Sequence, residues 1–238
     1  QTTDMVIATV YFKKGVGIES NIRYLKPERQ TLGSIYSIGL PAIVMQILTP
    51  IMSYTLNLIL GAISVSAVTA YGVYYKLQNF IFMPGYGLNN ASIPIISYNF
   101  GARNKQRVSQ TVRYGLIYVS VIMLIGIALL QLFARQIVGI FSVTEESHQL
   151  CVLALRIITC GFFFAGANII LQGVCQALGK GIYSLVISLL RFIVLVLPMA
   201  WALSLTENAA SLVWLSLPVA EAGACVAAIL LTRKIYRK

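Results

Sequence analysis

Apolar residues arrive in six long runs separated by short polar stretches: 34–60, 67–98, 111–133, 148–178, 182–205 and 210–232. Each is near or above the ~20 residues a helix needs to cross about 30 Å of hydrocarbon. The second and fourth are longer still, so they are expected to tilt, kink or protrude. Alternating segments of ~10 residues, the mark of a membrane β-barrel, are not seen. The pattern predicts an all-α polytopic membrane protein whose six transmembrane helices occupy residues 34–232. Residues 1–12 read as the inner end of a preceding membrane helix, and the chain as a fragment whose upstream part is missing. Residues 13–33 are a polar, basic linker containing Pro27, with Ile18, Ile22 and Leu25 at the spacing of a short interfacial helix. A basic tail, 233–238, closes the chain.

Composition agrees. Of the 238 residues, 58% are hydrophobic and 11% charged, where a soluble domain carries about a quarter charged. The net charge of +11 does not point to nucleic acid, because the basic residues sit in short loops between apolar runs. One set of loops holds Lys13, Lys14, Arg23, Lys26, Arg29, Arg103, Lys105, Arg107, Arg113, Lys180, Arg233, Lys234, Arg237 and Lys238. The opposite set holds Arg135 beside Glu145, Glu146 and Glu207. The positive-inside rule places the linker and the C-terminus in the cytoplasm, hence a multi-pass protein of the inner (plasma) membrane.

Four charges remain within the runs: Lys76, Arg156, Arg191 and Glu221. By helical rise, Lys76, Arg191 and Glu221 fall near the midplane, whereas Arg156 lies near the outer surface and can snorkel. Midplane charges are costly and usually face a bundle interior or a wet cavity. The fifth and sixth runs are joined by a short loop, so Arg191 and Glu221 are expected to meet. That pair can serve structure or transport. Lys76 has no acid of its own, and its charge is expected to face the cavity.

Polar and small residues recur at helical spacing in five runs. A packing role accounts for the small ones. The long amides point instead to a hydrated lumen. The expected cavity set is Gln46, Thr49, Ser53 and Asn57 from the first run; Lys76, Asn79, Met83 and Asn90 from the second; Asn168 and Gln172 from the fourth; and Arg191 and Glu221. The third run has almost no polar stripe and is expected to be peripheral and lipid-facing. Nothing in the sequence resembles a catalytic or metal-binding motif. The lone histidine, His148, stands at an outer helix end, and Cys151, Cys160, Cys175 and Cys225 read as small buried residues without metal-ligand spacing. No cofactor is expected.

The stretch from Phe82 to Arg107 carries the most information. Pro84, Pro94, Gly85 and Gly87 are expected to interrupt the second helix, with a kink at Pro84 and Gly85. Asn89, Asn90 and Ser92 stand beside the breaks to re-satisfy freed backbone groups. Met83-Pro84-Gly85 with Gly87, followed by PIISYNFGA from Pro94 to Ala102, resembles the second helix of the C-terminal lobe in multidrug and toxic compound extrusion (MATE) transporters. The likeness extends over essentially the whole chain. It includes GLPA from Gly39, AYGV from Ala70, GVCQALG from Gly173, Arg191 with Pro198, and WLSLP from Trp214 with Glu221. The stretch from Pro94 is similar to the MepA-like bacterial branch.

That resemblance implies one half of a twelve-helix antiporter built from two six-helix lobes with a substrate cavity between them. It implies export of small organic cations against inward Na+ or H+. In the NorM-like branch, a Glu on the lobe's first helix and an Asp on its fourth are linked to cation coupling; the matching positions here are Thr49 and Ala167. The coupling ion is therefore expected in the N-terminal lobe, this chain's partner in the full-length protein. Two rival readings are a flippase for lipid-linked oligosaccharides, suited by the excess positive charge of Lys76 and Arg191 over Glu221, and a non-transporting membrane scaffold.

Overall fold

A computed structural model describes residues 29–236. The expected helix end at 1–12, and nearly all of the linker with its interfacial helix, lie outside the described residues. The chain divides into two compact units, 1–39 and 40–238, and the description below concerns the second. Among the described residues every element is helical: α1 (Arg29–Ile63), α2 (Val65–Gly101), α3 (Lys105–Leu132), the short α4 (Ala134–Gly139), α5 (Glu145–Thr159), α6 (Phe162–Ala177), α7 (Gly181–Leu189), a π-helical segment (Leu190–Val196), α8 (Leu197–Ser204), α9 (Ala209–Leu212), a 3-10 turn (Val213–Leu215) and α10 (Ser216–Tyr236). The protein is an all-α polytopic membrane protein.

Four stretches are long and apolar enough to cross a bilayer: Gly39–Ile63, Lys105–Leu132, Gly181–Ser204 and Ala209–Ile235. Together α5 and α6 make a fifth, bent by 50° at Cys160-Gly161. At 37 residues α2 is the longest helix. Lys76, Gln78, Asn79, Asn89 and Asn90 make it too polar to count by composition; Gln78 and Asn89 are half-buried, while Lys76, Asn79 and Asn90 are exposed.

Local chemistry sets the joints. Ser64 alone separates α1 from α2; its backbone is extended, and its side chain accepts from the Ala67 amide at 3.0 Å, capping α2. Asn104 caps α3 by accepting from the Arg107 amide, and Thr144 caps α5 by accepting from the Ser147 amide. At the end of α2 the Arg103 amide donates to the Phe100 carbonyl, and the Asn104 amide to the Asn99 carbonyl. That is the doubly bonded helix ending in which one residue turns left-handed. The residue in that position is Arg103, at φ 56°. Glycine usually fills it, and a side chain there costs about 1–2 kcal/mol.

α2 runs as one helix from Val65 to Gly101, with Pro84 and Pro94 inside it, so the prolines and glycines of this stretch do not end a helix. Gly85 is buried, and a Cβ on it would meet Met123 Cε at 3.0 Å, so it admits α3 rather than ending a helix. The breaks fall elsewhere. One is Cys160-Gly161, where α6 starts so close to α10 that a Cβ on Gly161 would lie 2.7 Å from Pro218 Cα. The other is the π segment, where the Leu197 amide reaches back five residues to the Phe192 carbonyl. Pro198 follows directly; it has no amide to give Val194, and a wider turn before it accommodates that loss.

The core gathers on α2. Phe82 packs edge-on against Phe162 with ring centroids 4.8 Å apart, and Leu56, Leu60, Ile96, Val119, Met123 and Leu155 are buried with it. One face of α3 is buried at Val108, Gly115, Val119, Met123, Gly126 and Leu130, at helical spacing. Its other face exposes Ile117, Val121, Leu124, Ile125 and Leu129. An apolar outward face is what the third run's lack of a polar stripe leads one to expect of a peripheral helix.

Candidate functional site

Inside the bundle lies a small chamber of about 70 Å³ lined by polar and aromatic groups. α2 supplies Tyr71, Tyr74, Tyr75, Gln78, Asn79 and Tyr86, which share a face because they recur at three- and four-residue spacing. α1 contributes Thr49, the π segment Arg191, and α10 Glu221. The chamber is thus walled by four separate stretches of chain.

Its electrostatic centre is the ion pair of Arg191 Nη2 with Glu221 Oε1. The two side chains are 10% and 13% exposed. The other carboxylate oxygen is also held: Asn168 Nδ2 donates to Glu221 Oε2 and to the Glu221 carbonyl, both at 3.0 Å. Both oxygens of the acid therefore have protein donors, which is what a buried carboxylate requires. Among the described residues two buried side-chain polar atoms have no protein partner, Asn168 Oδ1 and Arg191 Nε. Groups of that kind call for water, and a space of this size holds a handful of waters. The π segment places Arg191 here, in agreement with the tendency of such bulges to mark functional positions.

The expected cavity residues separate into four groups. Thr49, Asn79, Arg191 and Glu221 line the chamber. Ser53 stands at its edge, accepting from the Tyr71 hydroxyl at 3.2 Å, while its carbonyl accepts from Asn57 Nδ2 at 2.9 Å. Asn168 and Gln172 are buried in packing: Gln172 Oε1 accepts from the Ser188 hydroxyl at 2.9 Å and ties α6 to α7. Gln46, Lys76, Met83 and Asn90 are exposed on the surface of the unit and line no part of the chamber. Lys76 thus stands apart from Arg191 and Glu221. Its ammonium lies 5.8 Å from the Phe141 ring centre. The reason is rotational: one residue of helix turns about 100°, so Lys76 stands off the face of Tyr75, Asn79 and Tyr86. Tyr71, Tyr74, Tyr75 and Tyr86, which sequence reasoning passed over, ring the chamber; their spacing along α2 was the available signal. Cys160 is another correction, exposed at the bend while Cys151, Cys175 and Cys225 are buried.

A second concavity, of about 950 Å³, lies where the end of α2, the start of α3, Leu178 and Ile235 meet. It brings the 101–105 loop and the last turn of α10 to one end of the bundle.

A family model described as MatE matches residues 41–202. The chain belongs to the MatE family. The multidrug export protein MepA of Staphylococcus aureus (strain MSSA476) is 27% identical to this MatE chain over 223 residues, covering 93% of the chain and 49% of the relative. MepA of Staphylococcus haemolyticus (strain JCSC1435) is 25% identical over 213 residues, covering 89% and 46%. The MatE chain therefore spans about half the length of the curated relatives it matches. Among solved structures, an outward-facing multidrug resistance MATE family transporter of the MOP superfamily superposes with a TM-score of 0.86 at 20% identity, covering 97% of this chain and 53% of that one. A MOP superfamily transporter from Pyrococcus furiosus superposes at 0.84 with 19% identity. The resemblance carried by Met83–Gly87 and Pro94–Ala102 is borne out, including its MepA-like affinity.

Proposed function

We propose that this chain is one six-helix lobe of a secondary active efflux transporter. That transporter exports drugs or other small organic cations by alternating access against a second, N-terminal lobe. One observation carries the reading. The polar chamber inside the unit is about 70 Å³, while a site for a drug-sized molecule takes roughly 300–1,000 Å³. The larger concavity meets that size, but Arg103, Lys105 and Arg113 line it and repel a cation. The substrate surface is instead the exposed set of Gln46, Lys76, Met83 and Asn90, completed by another lobe, as in repeat-built transporters whose sites lie between repeats.

The coupling ion, Na+ or H+, belongs to that other lobe. Glu221 is already neutralised by Arg191, and the described residues contain no cluster of three His, Cys, Asp or Glu side chains able to hold a metal ion. The protein sits in the plasma membrane with its basic end in the cytoplasm.

The test compares cells loaded with ethidium that express this chain alone or joined to an upstream MATE lobe. Extrusion is expected from the joined protein and not from the chain alone. Extrusion by the chain alone above the empty vector overturns the two-lobe reading.

A further inference from the structure

We propose that the concavity at the basic end of the bundle is a binding site for one anionic phospholipid. Three observations converge on it. The first is charge. Arg103, Lys105 and Arg113 line the space, and among the described residues no acidic side chain does. Basic pockets between membrane helices are suited to anionic headgroups.

The second is a gradient of polarity along one face of α3. Lys105, Ser109 and Arg113 stand one turn apart and all line the site. Beyond Arg113 the lining turns apolar at Leu116 and Ile117, with Leu178 and Ile235 opposite. A charged stretch of about 12 Å followed directly by hydrocarbon matches an amphiphile, headgroup first and acyl chain after. A soluble anion has no use for the apolar half. The volume, about 950 Å³, is at the upper end of the ~300–1,000 Å³ typical of small-molecule sites.

The third is Arg103 itself. It occupies the left-handed position that ends α2, where glycine fits without strain. Strained positions of this kind persist where the surrounding structure fixes them, often at ligand clamps. Here the two helix-ending hydrogen bonds around Arg103 hold the backbone, and the side chain lines the site.

The experiment is native mass spectrometry of the purified full chain, released from micelles doped equally with phosphatidylglycerol and phosphatidylcholine. One phosphatidylglycerol per chain is expected to be retained in excess over phosphatidylcholine. Lys105→Gln with Arg113→Gln should weaken that retention about thirtyfold. Arg103→Gly should weaken it about fivefold while the melting temperature holds or rises, because the substitution relieves the backbone; a purely structural role for Arg103 does not give that combination. Ile117→Trp should lower retention by filling the acyl half. Equal retention of the two lipids overturns the proposal, and this wild-type comparison decides it even where a variant fails to fold. Unchanged retention in the folded charge variants also overturns it, as does displacement of phosphatidylglycerol by millimolar inorganic phosphate, which identifies a soluble-anion site.

Discussion

Arg191 and Glu221 meet from adjacent helices inside the bundle, and each is the other's charged partner among the described residues. Asn168 holds the second carboxylate oxygen, so the acid is bound from two sides. Removing one member of such a pair leaves an uncompensated buried charge, at about 3–5 kcal/mol. Glu221→Gln alone is expected to lower folded yield and melting temperature sharply in detergent. Adding Arg191→Gln should restore most of the loss. Lys76→Gln should leave stability within about 1 kcal/mol, since an exposed contact with an aromatic ring contributes about 0.5–1 kcal/mol. Size-exclusion yield and thermal unfolding of the four variants check this; a Glu221→Gln protein as stable as the parent contradicts a structural pair.

Two glycines, Gly161 just before α6 and Gly173 within it, should respond differently to the same substitution. Gly161→Ala sets a methyl 2.7 Å from the Pro218 backbone, which cannot swing aside. A loss of about 1–3 kcal/mol is expected. Gly173→Ala instead meets the end of the Asn89 side chain, which can rotate, so its cost should be smaller. Thermal unfolding of the two variants ranks them, and the reverse order contradicts the close approach of α6 to α10.

The four cysteines should separate by exposure. Cys160 is exposed at the bend, while Cys151, Cys175 and Cys225 are buried. One equivalent of N-ethylmaleimide is expected to react rapidly with the native protein, and the Cys160→Ala variant should lose that fast phase. Fast loss of all four thiols would show a looser bundle.

Orientation has its own check. Cysteine placed at Gln106 or Lys234 should resist an impermeant thiol reagent in intact cells, and cysteine placed at Glu145 or Glu207 should react. The reverse pattern refutes the cytoplasmic placement of the basic end.

Much of this architecture can be read before any coordinates, because lipid imposes one rule on every span. Six apolar runs became the helical stretches of the fold, and the two buried opposite charges found each other because α10 neighbours the π segment. Finer placement was not legible. The stripe of Lys76, Asn79, Met83 and Asn90 on α2 looked continuous in sequence, yet Asn79 lines the chamber, while Lys76, Met83 and Asn90 are exposed and line no part of it. Spacing of three or four residues specifies a sector of the helix surface, not the neighbour that covers it. The ends of helices were harder to place. Proline advertises a lost hydrogen bond, yet α2 continues past Pro84 and Pro94, while the bend at Cys160-Gly161 falls where Gly161 comes close to Pro218 of α10, a neighbour that the local sequence does not name.

The π segment between α7 and α8 amounts to one surplus residue in the helix. Deleting a single residue from Leu190–Val196 would let an ordinary α-helix close the gap, and its hydrogen bonding would improve. The wider turn absorbs that residue's rotation of about 100°, so the positions beyond it would hold their faces: Ser184, Ile187 and Ser188 would stay inward, and so would Ala200, now fully buried. The surplus residue thus changes the course of the backbone around Arg191 without turning the rest of the span away from the bundle, whereas a second inserted residue would have no such turn to absorb it.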